Sequence, residues 1–142
     1  MKVRVTGSTG HQPDWDIDLK FGQGREEKLR ALFAELDADE TKLEVKTDRQ
    51  AVTTGNVYVE CMQKPPGHDE YKPSGIATTG SPYWAFLVGR VTILVPSDAL
   101  LWAARERADR LVDGGLNGDC PTRGVLLSLA EIVTLFNESP FE

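Results

Sequence analysis

Several kinds of residue that define familiar protein classes are scarce in this sequence. It has two cysteines, Cys61 and Cys120, and two histidines, too few for a disulfide framework or a Cys/His zinc cluster. We therefore expect a reducing, cytosolic setting. The longest apolar runs, such as residues 83–88, fall far short of the roughly 20 residues that span a membrane. No basic and then apolar leader opens the chain, so nothing predicts secretion.

Positive charge is also in short supply. Sixteen Lys and Arg face 22 Asp and Glu, for a net charge of −6. Broad, sequence-independent binding to nucleic acid usually draws on a surplus of Lys and Arg, so it is not expected of the surface as a whole. The candidates for a local basic stripe are Arg105, Arg107, Arg110 and Arg123. Acids are interleaved with them, so a salt-bridged outer face explains them more simply.

The residues that are present indicate a globular α/β protein. The chain has 142 residues, of which 40% are apolar and 27% charged. That length is typical of one domain, so we expect residues 1–142 to form a single domain. An acidic chain that handles DNA would need its acids grouped for another purpose, and metal binding is the obvious candidate.

Apolar periodicity predicts a mixed α/β sheet flanked by helices. Helices are expected over residues 25–36, 98–112 and 129–137. Strands are expected over residues 43–48, 56–61, 83–88, 90–95 and 124–129, with a weak signal over 2–5 and a short strand or turn over 14–19. The strands over 43–48 and 56–61 are expected to form a hairpin, and residues 64–74 and 114–119 to form loops.

Both strands of this expected hairpin carry acids on one face. Because side chains alternate along a strand, Glu44, Lys46 and Asp48 share a face of the first. Tyr58 and Glu60 share a face of the second. If the two polar faces coincide, the carboxylates approach one another, which destabilises a fold unless a cation joins them. The pattern therefore predicts a hard divalent metal, Mg²⁺ or Mn²⁺, between Asp48 and Glu60.

Taken singly, these acids have simpler explanations. Asp48 belongs to a pattern that is common on solvated strand faces. Glu26, near the start of the first predicted helix, complements the helix dipole. Glu60 is harder to dismiss, because it ends an apolar-rich strand where a buried unpaired acid would be costly. Only the combination points to a site.

The combination resembles a known family. The segments are GQGRE (22–26), LEVKTD (43–48), GNVYVE (55–60) and KPSGIATTGSPYWAFLV (72–88). Over about residues 18–95 they are similar to the PD-(D/E)XK nuclease superfamily, in particular to small phage-encoded members related to Holliday junction resolvases and restriction-type nucleases. The resemblance implies a restriction endonuclease-like α/β core with a central mixed β-sheet, and Mg²⁺-dependent hydrolysis of DNA phosphodiesters in the cytoplasm of a phage host.

The resemblance also implies roles for individual residues. Asp48 would be the acid of the first motif strand and Glu60 the first acid of the second. Glu26 would be the helix acid, and the backbone carbonyl of Cys61 a metal ligand.

The lysine of the second motif is missing, because Met62 stands two residues after Glu60. Lys46, on the same strand face as Asp48, is the candidate substitute that would activate or orient water. Gln63 is a weaker one, because alternation turns it away from Glu60.

A second register remains open. It takes Glu44-Val45-Lys46 as the E-x-K, with the preceding acid drawn from Asp16, Asp18 or Asp37, and it leaves GNVYVE without a role. In either register, hydroxyl and amide donors of the following loop are candidates for binding a DNA phosphate. These candidates are Lys72, Ser74, Thr78 and Thr79. A loop with a helix cap explains the same residues equally well.

Three functions follow as alternatives. The favoured one is a metal-dependent DNA nuclease acting on duplex or branched DNA, expected to pair as a homodimer. The second is a catalytically inactive module of the same fold that binds DNA or a host protein. The third is a small-molecule or RNA-processing enzyme on a different α/β sheet.

Overall fold

The computed structural model describes residues 15–138. The helices of this part are α1 (Trp15–Ala38), α2 (Ala51–Thr54), α3 (Ser97–Glu106) and α4 (Leu129–Glu138). The strands are β1 (Leu43–Thr47), β2 (Asn56–Gln63), β3 (Lys72–Pro73), β4 (Tyr83–Val88), β5 (Val91–Pro96), β6 (Val112–Asn117) and β7 (Cys120–Ser128). The protein is therefore mixed α/β, as predicted. The weak strand signal over residues 2–5 lies outside the described residues.

The chain divides into two compact units, the first ending at Asp39 and the second beginning at Glu40. In the first unit, α1 contains the helix predicted over residues 25–36. The expected short strand or turn over 14–19 is wrong where it is described, because Trp15 onward is helical. A polar and apolar alternation this short lies within two helical turns, so it does not distinguish strand from helix. None of the helices in residues 15–138 has both the length and the apolar character of a membrane span.

The second unit contains two sheets rather than one central sheet. The first has the order β1-β4-β5, with β1 parallel to β4 and β5 antiparallel to it. The predicted interior strand over 83–88 is confirmed as β4, which lies in the middle with Trp84, Ala85 and Phe86 buried. Its predicted partner is also confirmed, since β5 pairs with β4 across a turn at Gly89, whose φ is 60°.

The second sheet is antiparallel, with the order β3-β2-β7-β6. Residues 114–119, predicted to be a loop, instead belong largely to the β6–β7 hairpin, which turns at Gly118 with φ of 61°. Two adjacent glycines in β6 concealed the strand, because Gly lowers strand propensity. The register of β6 against β7 shifts between Asp113 and Leu116, so the glycines lie at an irregularity of the strand.

The expected hairpin between the segments at 43–48 and 56–61 is wrong. β1 and β2 lie in different sheets, and the connection between them contains α2. Asp48 initiates this short helix by accepting the backbone N–H groups of Gln50 and Ala51, each at 3.0 Å. Gly55 then ends it in the left-handed conformation with φ of 72°. A helical turn in the connection removes the tight turn that a hairpin needs.

Apolar side chains from both sheets, α3 and α4 form one hydrophobic core in the second unit. Its largest fully buried members include Trp84, Phe86, Ile76, Leu100 and Leu127. The helix predicted over 98–112 is shorter in the structure, since α3 ends at Glu106 and a 3₁₀ turn follows at Ala108–Arg110.

A capping box begins α4. The N–H of Ser128 donates to Glu131 at 2.7 Å, and the N–H of Glu131 donates to the Ser128 hydroxyl at 3.0 Å. Arg107, at the end of α3, forms a 2.8 Å salt bridge with the same carboxylate. This salt bridge and the Ser128 N–H hold the pKa of Glu131 below its ordinary value of 4.5. The N-terminus of α4 is thereby linked to the C-terminus of α3.

Candidate functional site

Two carboxylates and a lysine of the second unit line one polar cleft. Glu44 and Lys46 come from β1, and Glu60 comes from β2 in the other sheet. Hydroxyl groups of the segment from Ser74 to Ser81 line the same cleft, and the ring of Trp84 borders it. We call this space the polar cleft. The charged residues therefore converge across two sheets and not across one hairpin.

The β1–β4 pairing fixes the lysine side of the polar cleft. Glu44 is paired with Trp84 and Lys46 with Phe86, so the polar side chains of β1 lie beside the aromatic side chains of β4. The Lys46 ammonium is 2.7 Å from the Glu44 carboxylate and 5.3 Å from the centre of the Trp84 ring. Both β1 side chains are about 40% exposed, at 38% for the lysine and 40% for the glutamate. The pair is thus held in a defined orientation while still reaching the cleft.

A β-bulge sets the opposite side. The pairing of β2 with β7 shifts between Glu60 and Met62, so one extra residue interrupts the alternation of side chains. Gln63 consequently lines the same cleft as Glu60, although simple alternation predicts that it turns away. The sequence carries no clear signal for this bulge.

A glycine turn packs directly on Glu60. Gly75 has φ of 55°, and a Cβ at this position would collide with the carbonyl oxygen of Glu60. The adjacent Ser74 N–H donates to the Cys61 carbonyl at 2.9 Å. The expected metal ligand at Cys61 is therefore a backbone carbonyl that already accepts a hydrogen bond. The Cys61 thiol is half-buried, and its burial raises the pKa.

Ser74 is the most unusual hydroxyl of the described residues. It is only 5% exposed, and its Oγ has no hydrogen-bond partner within the chain. A buried polar atom without a partner is costly and requires an explanation. Because Ser74 lines the polar cleft, a ligand bound there is the natural partner for the hydroxyl.

The other predicted phosphate contacts differ in their surroundings. The Thr79 hydroxyl accepts the indole N–H of Trp84 at 3.3 Å and the N–H of Ser81 at 3.2 Å, so it orients the ring beneath Lys46. Thr78 is exposed at the edge of the polar cleft. Lys72 lies in β3, paired with Gln63, and is also exposed.

Asp48 has a structural role in the described geometry. One carboxylate oxygen accepts the N–H groups of Gln50 and Ala51, and the other accepts the N–H of Tyr58 at 3.0 Å. The side chain thus ties the end of β1 to the beginning of α2 and to β2. A carboxylate engaged by three backbone donors would have to give up hydrogen bonds in order to bind a metal, so its predicted role as a ligand is not favoured.

Glu26 lies in α1, in the first unit, where it forms a 3.2 Å salt bridge with Arg30 one helical turn later. Its predicted role as the helix acid stays a prediction. Asp37 also lies in α1, whereas the side chains of Asp16 and Asp18 lie outside the described part of the chain.

The donors in the polar cleft suit a hard divalent cation by type. Mg²⁺ is commonly held by one or two carboxylates together with water and substrate phosphate, and Glu44 and Glu60 supply two carboxylates. Within the described residues, no group of three or more His, Cys, Asp or Glu side chains is arranged to hold a metal by itself. A metal at this site would therefore take the rest of its ligands from water and from a bound substrate.

Comparison of the chain with models of protein families, with curated proteins and with solved structures gave no match. The functional assignment therefore depends on the residues and their geometry.

Proposed function

We propose that this protein is a Mg²⁺- or Mn²⁺-dependent nuclease that hydrolyses phosphodiester bonds in DNA. The observation that carries the proposal is the convergence of Glu44, Lys46 and Glu60 on one polar cleft beside the unpartnered hydroxyl of Ser74. Two carboxylates with a lysine are the groups that a PD-(D/E)XK nuclease uses. The restriction endonuclease-like core, the cytoplasmic phage setting and the homodimer belong to the same proposal.

The geometry favours Glu44-Val45-Lys46 as the E-x-K element. Glu44 lines the polar cleft with Lys46 and Glu60, while the carboxylate of Asp48 is engaged by three backbone N–H groups. In this assignment Glu60 has a role as the second carboxylate. The segment GNVYVE, which had no role in this register, then supplies Glu60 to the site.

Each residue then has a defined task in hydrolysis. A divalent ion, when bound, supplies charge neutralisation and lowers the pKa of water. Glu44 and Glu60 would hold it by their carboxylates. The Lys46 ammonium has three N–H donors, one directed at Glu44, so it can also hydrogen-bond the attacking water or a phosphate oxygen. Water forms the new O–P bond, the bond to the leaving oxygen breaks, and a proton passes to that oxygen.

The hydroxyl-bearing segment would hold the phosphate. Ser74 donates its hydroxyl to a phosphate oxygen, which satisfies a group that the folded chain leaves without a partner. Thr78 and the exposed Lys72 would contact neighbouring phosphates, which gives an acidic protein a local means of binding DNA.

The proposal is tested by cleavage of plasmid and branched DNA with Mg²⁺, Mn²⁺ or EDTA. We expect cleavage only with a divalent metal, and a loss of at least about 100-fold in Glu44→Gln and Glu60→Gln, the scale expected for removing one group that stabilises developing charge. Glu70→Gln, on an exposed loop, is the matched control and should cleave like the wild type. Equal, metal-independent behaviour of all four proteins would refute the proposal.

The inactive nuclease-fold module is the second candidate. It is favoured by Met62 at the position of the family lysine and by the lack of a complete three-residue ligand group in the described residues. Such a module would bind DNA or a host protein equally well in EDTA and would cleave nothing.

A further inference from the structure

A second cavity adjoins the polar cleft. Tyr58, Thr47, Gly115 and Thr122 line it, and it shares Lys46, Glu60 and Trp84 with the polar cleft. We call it the Tyr58 lobe. Its volume of ≈ 390 Å³ lies near the lower end of the range for small-ligand sites, about 300–1,000 Å³. Lys46 and Glu60 therefore stand on the boundary between the two cavities.

The Tyr58 ring is held in place at its hydroxyl end. The Thr122 hydroxyl donates to the Gly115 carbonyl at 2.8 Å, which leaves its oxygen to accept the Tyr58 O–H at 3.0 Å. Thr122 is only 3% exposed, so the hydroxyl that joins the two hydrogen bonds is itself shielded from water. The phenol is therefore held in position by Thr122.

Two glycines make room for the ring. A Cβ at Gly114 would collide with the Tyr58 hydroxyl. A Cβ at Gly124 would collide with the Val59 carbonyl and would also lie 2.9 Å from the edge of the ring. Gly114 and Gly115 occupy the irregular part of β6, where the strand departs from regular pairing. The irregular part of β6 therefore leaves space for the phenol and also places Gly115 at the wall of the Tyr58 lobe.

The two cavities differ in chemistry. The polar cleft offers hydroxyl groups and a lysine, which suit a phosphate, while the Tyr58 lobe offers an aromatic ring fixed in place. Nucleic acid has this same alternation, with a charged phosphate next to a flat base. Bases stack on aromatic side chains regardless of their identity, because every base has a π-face.

We propose that the Tyr58 lobe is a subsite for one nucleobase of the DNA strand, the base adjacent to the phosphate held in the polar cleft. This inference rests on the proposed function and deepens it, because it makes the substrate a strand whose base is unstacked at the site. Tyr58 is the stacking residue for the base, whatever its identity, and Thr122 and Gly115 are positioning residues for its ring.

The test uses short single-stranded DNA oligonucleotides in which one base at a time is replaced by an abasic residue. Binding is measured by fluorescence anisotropy in the Glu60→Gln protein with Mg²⁺, so that turnover does not interfere. Stacking is worth about 1–3 kcal/mol per base, which corresponds to about five- to 150-fold in affinity. We expect a loss of this size at one position of the oligonucleotide and smaller changes elsewhere.

Two variants at Tyr58 show whether its aromatic ring causes the loss of affinity for abasic strands. Tyr58→Phe keeps the ring and should keep the abasic penalty, whereas Tyr58→Leu should bind intact and abasic strands equally. A second measurement needs no variant at Tyr58: 5-iodouracil at the sensitive position, irradiated in the complex, should cross-link to the peptide that contains Tyr58. Cross-linking elsewhere, or an abasic penalty unchanged in a folded Tyr58→Leu protein, would overturn the subsite.

The outcomes separate the subsite from the nuclease. Metal-dependent cleavage by the wild type without any abasic penalty overturns the subsite and supports the nuclease. An abasic penalty that depends on Tyr58, in a protein that cleaves nothing with any metal, supports the subsite and overturns the nuclease. If the protein shows no cleavage with any metal and no abasic penalty, both the nuclease and the subsite are overturned.

Discussion

Replacing Asp48 by alanine separates the structural role of this acid from a catalytic one. The carboxylate accepts three backbone N–H groups, from Gln50, Ala51 and Tyr58, each at 3.0 Å. Alanine removes all three acceptor contacts. Ala51 is 1% exposed, so its N–H is poorly placed to recruit water in exchange, whereas Gln50 is exposed and can do so.

The cost follows from these contacts. Loss of a side-chain acceptor at the start of a helix costs about 0.5–2 kcal/mol, and a hydrogen bond to a charged acceptor, here from Tyr58, is worth about 1.5–3 kcal/mol. We therefore expect Asp48→Ala to lower the free energy of unfolding by about 2–5 kcal/mol. Domains of this kind are stable by about 5–15 kcal/mol, so the variant should still be mostly folded at 25 °C.

Urea unfolding followed by circular dichroism measures this effect. With a slope of about 2 kcal/mol per molar urea, the midpoint should fall by roughly 1–2.5 M. Asp48→Asn should show a smaller loss, because its amide oxygen can still cap α2 while its N–H groups cannot accept from Tyr58. Asp69→Ala, at an exposed loop acid, is the matched control and should unfold like the wild type.

Cleavage is measured on the same proteins and divided by the folded fraction. We expect Asp48→Ala to retain most of the activity per folded molecule, because its carboxylate binds backbone N–H groups and not the metal. An Asp48→Ala protein as stable as the wild type, but without cleavage, would refute the structural role and return Asp48 to the metal site.

Three further perturbations test the surrounding structure. Ser74→Ala removes an unpartnered buried hydroxyl, so the free energy of unfolding should be unchanged or rise by up to about 1 kcal/mol while KM for DNA increases. The control is Ser97→Ala. It removes a hydroxyl that donates to the Ser81 carbonyl, so its free energy of unfolding should fall by about 1 kcal/mol. Gly75→Ala and Gly67→Ala both place alanine at positive φ, so each should lower the free energy of unfolding by about 1–2 kcal/mol. Only Gly75→Ala must also displace the Glu60 carbonyl, so only this variant should reduce cleavage. Glu131 has a lowered pKa, so its stabilising effect is present above pH 4.5 and is lost as the pH falls through the lower folded-state value. The difference in urea midpoint between the wild type and Glu131→Gln should therefore narrow below pH 4.5. A difference that widens there would contradict the ion pair and hydrogen bonds assigned to Glu131.

The elements predicted best are those with strong, uninterrupted apolar patterns. The core strand β4, its partner β5 and the helices α3 and α4 all lie where the pattern predicts them, although α3 ends early. The strand β6 was missed, because its two glycines resemble a loop. Both the success and the failure follow from local sequence, which reports burial better than it reports pairing.

The arrangement of the site could be predicted only in part. Strand alternation correctly places Glu44 and Lys46 on one side of β1. It gives no information on which sheet β2 joins, because partner choice depends on contacts far apart in the chain, and the expected hairpin was wrong for this reason. Asp48 is an acid whose backbone partners, including Tyr58, could not be recognised without coordinates, and the bulge that turns Gln63 into the polar cleft left no clear pattern.

The proposed metal site is tested most directly by the position of Mn²⁺ in soaked crystals, located by its anomalous scattering. We predict a peak in the polar cleft, within coordination distance of the Glu44 and Glu60 carboxylates, with Asp48 still bonded to the N–H groups of Ala51 and Tyr58. A peak on Asp48, or a fully soaked crystal with no peak at the polar cleft, would contradict it.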